Sequence, residues 1–179
     1  MMKYNKRKPM SASRRICITA VMAAFICIMT IVPRIPIPLG YAHLGDAAIF
    51  LAVLYAGHRE GAVAASLGSA FADFLGGFPI WILPTILIKY SMAVILWHIV
   101  KKHEADIHIL SAYAFCGLCL SGGWMVIGYT IFGSILYGGI AVGLTSAPGL
   151  FLEGVVNIAA AIAAGIVLER SGISFTYFE

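Results

Sequence analysis

The chain has 179 residues, 61% of them hydrophobic and 11% charged, with a formal net charge of +4 and a mean hydropathy of +0.94. A soluble domain carries roughly a quarter charged residues, so too few polar side chains are present to cover a water-facing surface. Lipid must be the outer solvent, and disorder, nucleic-acid binding and a secreted disulfide scaffold are excluded.

At about 20 residues per spanning helix, six spans take about 120 residues and leave short connections. The expected fold is therefore all-α, a polytopic six-helix bundle. A basic leader (residues 1–15, with Lys3, Lys6, Arg7, Lys8, Arg14 and Arg15) precedes the first apolar run, Ile16 to Val32. That run is too long for a signal peptide and is followed by no small-x-small cleavage site. The second run, Leu44 to Gly57, meets the third, Gly61 to Gly76, across an expected tight turn at His58-Arg59-Glu60. Both are short, and the count changes if they form one broken or re-entrant helix. The fourth run spans Ile80 to Val100 and stops at Lys101-Lys102. The fifth begins near Ile109 and fades between Gly133 and Gly143; the sixth, Gly149 to Leu168, ends at Glu169-Arg170 before a tail of residues 171–179. Residues 16–170 thus read as a single membrane domain.

With six spans, ten of the twelve lysines and arginines fall on the side shared by the two termini, Arg34 and Lys89 being the exceptions. The bias of basic residues makes that side cytoplasmic. Six of the seven prolines (Pro33, Pro36, Pro38, Pro79, Pro84, Pro148) fall at or near the other face. Proline fixes φ and lacks an N–H, so the outer connections are expected to be stiff and irregular.

Ionisable residues inside apolar runs are costly and face a cavity or a partner. Asp46, Asp73, Lys89 and Glu153 are four of these, each placed by the 1.5 Å helical rise in the outer half, with none in the inner half. A proton path across the membrane needs relays at several depths, so the pattern suggests a cup open to one side. Ser66, Ser69 and Asp73 share one helix face beside the small-residue stripe Gly61, Ala65, Gly68, Ala72, Gly76. Glu153 and Asn157 share another at i, i+4, as do Thr85 and Lys89. A structural ion pair accounts for Lys89 and one acid, but one lysine cannot neutralise three carboxylates. Counting Arg34, the outer cluster keeps one negative charge in excess, which favours a neutral or cationic heterocycle over an anion. Tyr41, His43, Trp81, Trp124 and Tyr129 are candidate stacking surfaces near the mouth, although tryptophan and tyrosine also collect at membrane interfaces.

Other signals are weaker. Cys116 and Cys119 have C-x-x-C spacing but lie in an apolar helix without a βαβ context, and with Cys17 and Cys27 they read as small hydrophobes. His58, His98, His103 and His108 read as solvated at the cytoplasmic edge. No zinc-protease, phosphate-loop or nucleophile-elbow motif is present, so no catalytic activity, cofactor or metal is expected. Ala20, Ala23, Ala24 and Cys27 form a stripe that permits close helix approach, either within the bundle or on another subunit.

The block Leu44-Gly45-Asp46-Ala47-Ala48-Ile49-Phe50-Leu51, followed by Gly57, Gly61-Ala62, Gly68 to Gly77 and Pro84 to Lys89, resembles the S components of energy-coupling factor (ECF) vitamin transporters. The similarity is nearest to the branch of riboflavin, hydroxymethylpyrimidine and pyridoxine carriers. That resemblance implies six helices with cytoplasmic termini in a prokaryotic plasma membrane, and one vitamin bound near the outer face beneath a lid at residues 33–43. It also implies docking of an A-x-x-x-A surface, here Ala20 and Ala24, on a membrane coupling subunit driven by two ATPases. No close match to the riboflavin-type binding residues is seen in helices four to six, which makes pyridoxine or hydroxymethylpyrimidine the expected ligand. Asp46, Asp73, Lys89, Glu153 and Asn157 are the candidate polar contacts, with His43 and Trp81 behind them. Three rivals are a self-sufficient proton-coupled carrier, a membrane enzyme using Asp73 and Glu153 as acid and base, and a purely structural subunit. The first lacks inner-half ionisable groups, the second lacks a nucleophile or metal cluster, and the third needs no cup.

Overall fold

The computed structural model describes residues 11–101 and 108–173. Lys3, Lys6, Arg7, Lys8, Lys102 and His103, and the end of the expected tail from residue 174, lie outside the described residues.

The elements in chain order are α1 (Ala12–Ile31), β1 (Ile35–Ile37), β2 (Gly40–Ala42) and α2 (Gly45–Leu51), which widens into a π turn over Ala52–Ala56. They are followed by α3 (His58–Gly76), a 3₁₀ turn (Pro79–Trp81), α4 (Ile82–Val100), α5 (Ala112–Leu136), α6 (Ile140–Leu144) and α7 (Ala147–Arg170). Among the described residues, four helical stretches are long and apolar enough to cross a membrane: Ala12–Ile31, Pro79–Val100, Ala112–Leu136 and Ile140–Arg170. Contacts link α1 to α3, α3 to α4, α4 to α5, α5 to α7, α7 to α2 and α2 back to α1, closing a ring.

On α3 and α7 the outward face is apolar and the inward face polar or small, the pattern of a chain solvated by lipid. On α3, Val63, Leu67, Phe71 and Phe74 face outward, whereas Ser66, Gly68, Ser69, Ala72 and Asp73 are buried. On α7, Phe151, Leu152, Val155 and Val156 are exposed and Glu153, Gly154, Asn157 and Ala161 are buried. Small residues set the helix spacing. A Cβ at Gly68 would come within 2.5 Å of the Ala23 carbonyl oxygen and 3.0 Å of Ile26 Cβ, so α1 and α3 approach backbone to side chain there. The apolar centre runs through Ile49, Phe50, Val53, Met92, Leu96, Leu118 and Met125.

Several sequence expectations change. His58-Arg59-Glu60 do not form the turn before helix three but its first turn, because the chain reverses one residue earlier, at Gly57 with φ +114°. Glu60 is consequently buried and paired with Arg15 of α1, so an ionisable pair does occupy the end of the bundle remote from the hairpin. His58 is not simply solvated: its ring stacks on Trp97 with centroids 4.4 Å apart. The bundle is also not purely α. Residues 33–43, expected as irregular chain, contain an antiparallel hairpin in which Ile35 pairs with Ala42 and Ile37 with Gly40. Helix five continues through Gly133 to Leu136, and the glycine-rich stretch after it holds the short α6.

Candidate binding pocket

A hollow of about 500 Å³, counted to its open mouth, lies between the hairpin, the end of α3, the 3₁₀ turn before α4, α5 and the start of α7. The hairpin roofs it with Ile37, Leu39 and Tyr41. Asp73 projects from the last turn of α3, which ends at Gly77 in the left-handed conformation (φ +82°) suited to glycine. Trp81, fixed by the 3₁₀ turn that Pro79 opens, and Tyr129 of α5 form an aromatic wall with ring centroids 5.5 Å apart. The Trp81 indole N–H donates to the Tyr137 hydroxyl at 3.2 Å, and the Tyr129 and Thr85 hydroxyls are 3.1 Å apart. Phe78 faces Tyr41 at 5.2 Å.

Asp73 is 8% exposed, and its oxygens have different roles. Oδ1 accepts from the Tyr41 hydroxyl at 3.3 Å and the Thr85 hydroxyl stands near the carboxyl, whereas Oδ2 has no partner at full hydrogen-bond distance. A buried carboxylate oxygen left without a donor is costly, and at a pocket wall it is an open acceptor. On the other side of Tyr41 lies Arg34, whose guanidinium carbon is 4.2 Å from the ring centroid and whose Nη2 donates to the Ala72 carbonyl at 3.4 Å. Arg34 fills the place where Gly76 lacks a side chain. Burial, and then the Asp73 charge, push the Tyr41 phenol up to about 12, so it remains a donor.

His43, in the connection between β2 and α2, lines the pocket beside Glu153. Its Nδ1 accepts the Gly45 N–H at 3.0 Å and lies 3.2 Å from Glu153 Oε1. Burial, reinforced by the Lys89 charge, lowers this imidazole to about 4, so the ring is neutral near pH 7 and its contact with Glu153 is not a pairing of opposite charges. His43, Asp46 and Glu153 bring one potential ligand atom each to within 4.8 Å of one another. The Lys89 ammonium already bonds Asp46 there and supplies the cationic charge.

Of the residues singled out from sequence, Asp73, Glu153, His43 and Trp81 line the pocket. Asp46 and Lys89 lie behind it, ion-paired and each 1% exposed, with the Lys89 Nζ 5.1 Å from the Tyr129 centroid. Asn157 is fully buried and its amide is bonded to backbone. Tyr41 and Tyr129 are wall residues as expected of candidate stacking surfaces, but Trp124 faces outward and donates to Ser91 at 2.7 Å. Phe78, Ile37, Leu39, Ser146 and Leu150 went unremarked in the sequence. Isolated apolar residues carry no chemical signature, and only the Pro-rich segment before Tyr41 hinted at a roof.

On α1, Ala20 and Ala24 are exposed, whereas Ala23 packs at Gly68, so the alanine stripe serves two faces. A groove beside Ala20 is lined by Arg15, Ile16, Arg59, Val63 and Leu67.

A lipid-solvated helical ring with an aromatic and acidic pocket under a hairpin defines a multi-pass membrane protein built around a solute site. The family model for the ECF-type riboflavin transporter, S component, matches residues 10–170, and the chain belongs to that family. It is an S component, the substrate-binding subunit of an ECF transporter, and not an enzyme. A protein of Pyrococcus woesei described as an uncharacterized protein in a gap 3′ region is 36% identical over 115 residues, covering 63% of this chain and 74% of that one. A solved structure titled as the S component of a bacterial ECF transporter superposes with a TM-score of 0.72 at 18% identity. It covers 90% of this chain and 98% of that chain, a likeness of fold.

Proposed function

We propose that this S component captures a flat, uncharged or cationic heteroaromatic vitamin or vitamin precursor, pyridoxine or hydroxymethylpyrimidine before riboflavin. The unpartnered Asp73 Oδ2, inside an aromatic-walled hollow, carries the reading. A ring N–H, amino or hydroxymethyl group satisfies that oxygen, while Tyr41, Trp81 and Tyr129 offer faces to the ring. Asp73 and Glu153 disfavour phosphorylated or carboxylated forms. Ile37 and Leu39 reach down from the roof, which suits one ring with short arms better than three fused rings with a long chain. Asp46 and Lys89 act behind the wall as a structural pair.

The chain crosses the membrane six times with both termini cytoplasmic, and the hairpin is the lid on the outer side. Uptake is powered by a partner module of a membrane coupling subunit and two ATPases. The exposed Ala20–Ala24 face of α1 is the docking surface. A self-sufficient proton-coupled carrier is disfavoured because Asp46, Asp73 and Glu60 are tied to Lys89, Tyr41 and Arg15 rather than forming a relay across the bundle.

The test is binding of pyridoxine, hydroxymethylpyrimidine and riboflavin to the purified full chain, read by calorimetry and by quenching of tryptophan fluorescence. One of the first two is expected to bind tightly, and Asp73→Asn to weaken it by about tenfold to a hundredfold, the value of a hydrogen bond to a charged group. Tight binding of riboflavin alone overturns the substrate assignment. Unchanged affinity in Asp73→Asn removes Asp73 from the site.

A further inference from the structure

The hairpin needs an anchor on its C-terminal limb, and the start of α2 needs a cap. The first N–H groups of a helix have no acceptor within it. At α2 the N-cap position is held by Leu44, which has no side-chain oxygen to offer. Two residues from elsewhere meet the orphaned donors. His43 Nδ1 takes the Gly45 N–H, and Asn157 Oδ1, from the middle of α7, takes the Ala47 N–H at 2.8 Å.

The Asn157 amide nitrogen is equally engaged, donating to the His43 carbonyl at 2.7 Å and to the Glu153 carbonyl at 2.9 Å. Both N–H groups are therefore used, and the side chain is fully buried. A primary amide has two donors, so none remains for a ligand. The orientation is fixed as well, since reversing it would set the NH₂ against the Ala47 N–H and the oxygen against two carbonyls. One residue thus grips the connection into α2 at His43, the first turn of α2 and α7 itself. His43, whose ring lines the pocket, hangs from that grip.

We infer that Asn157 is a positioning residue, a latch that caps α2 in trans and holds the C-terminal limb of the lid, setting His43 against the pocket without touching the ligand. The inference rests on reading residues 33–43 as a lid, but its main test needs no ligand. Hydrogen–deuterium exchange is followed on the full chain in detergent micelles, with peptides from α4 and α5 as internal references. Asn157→Ala removes all three bonds and is expected to speed exchange at both Ala47 and residues 40–44 by about tenfold or more. Asn157→Asp keeps the acceptor and loses both donors. It is expected to leave Ala47 slow while residues 40–44 become fast, a split that a general packing defect does not produce.

Equal protection of residues 40–44 in Asn157→Asp and the parent chain overturns the latch, as does equal loosening of every helix. If neither variant folds, the parent chain still decides. Ala47 lies where no acceptor within α2 is available, so its amide must exchange as slowly as the interior of α7, and rapid exchange there refutes the cap. Pyridoxine, hydroxymethylpyrimidine and riboflavin then serve as binding probes. A faster off-rate with an unchanged on-rate is expected in Asn157→Asp, and failure of all three to bind the parent chain would count against the substrate reading while leaving the exchange result standing.

Discussion

Asp46 and Lys89 carry opposite charges that meet 43 residues apart in sequence, both almost wholly withdrawn from solvent. Removing one member of such a pair leaves the other charged in apolar surroundings, at a cost of about 3–5 kcal/mol, whereas replacing both can be nearly neutral. Lys89→Ala and Asp46→Ala are each expected to lower the melting temperature of the detergent-solubilised protein sharply. Asp46→Asn with Lys89→Met is expected to recover most of the loss and to keep ligand binding. A double variant no more stable than the worse single would mean that the two groups act separately. The sequence marks these residues because a charge in an apolar run must turn inward, and periodicity then gives its face. It does not give its partner. Asp46 and Asp73 have the same chemistry and similar expected depth, yet one is consumed by Lys89 while the other keeps an open oxygen in the pocket. Only the tertiary arrangement separates a structural carboxylate from one available to a ligand.

At the scale of elements, the helices were legible and the hairpin was not. Long apolar runs bounded by charge, with small residues recurring at helical spacing, specify α1 to α5 and α7 nearly in place, whereas the short α6 lies in the glycine-rich stretch that reads only as the fading end of helix five. Strands of three residues give no alternation to read, and Pro36 inside β1 argues against a strand at all. What makes the hairpin possible is its two-residue turn, with Pro38 first and Leu39 at φ +65° second. A residue other than glycine in the left-handed region costs roughly 1–2 kcal/mol. The Leu39 side chain nevertheless lines the pocket, 3.3 Å from the place of a Cβ on Gly133, so the strained position carries a roof contact. Leu39→Gly should relieve the backbone and leave the melting temperature unchanged or raised, yet shorten the residence time of bound ligand. Leu39→Val, β-branched where φ is positive, should lower the melting temperature. A Leu39→Gly variant that loses stability but retains its ligand as long as the parent would show that Leu39 serves the fold and not the roof.

At the scale of the molecule, the pocket and the proposed docking face lie on different parts of the bundle. The hairpin closes one end, while Ala20 lies near the middle of α1, on the groove that α1 shares with Val63 and Leu67 of α3. α1 buries only Ile26 and Thr30, so most of it is free to meet lipid or another subunit. Its inner face is already committed, because Ala23 backs onto Gly68, and that leaves the Ala20–Ala24 face as the small-residue surface available for close helix approach. If that face docks the coupling subunit, capture and coupling should be separable by mutation. Ala20→Leu with Ala24→Leu adds bulk outward, away from the pocket. The double variant is expected to bind ligand with the parent's affinity and to lose co-purification with the coupling subunit by about tenfold or more, the steep dependence expected of contacts that need close backbone approach. Loss of both functions would mean that the added bulk distorts the α1–α3 contact, and Ala23→Leu, which strikes that contact directly, is the control that should lose both. Undiminished co-purification would move the docking surface off α1.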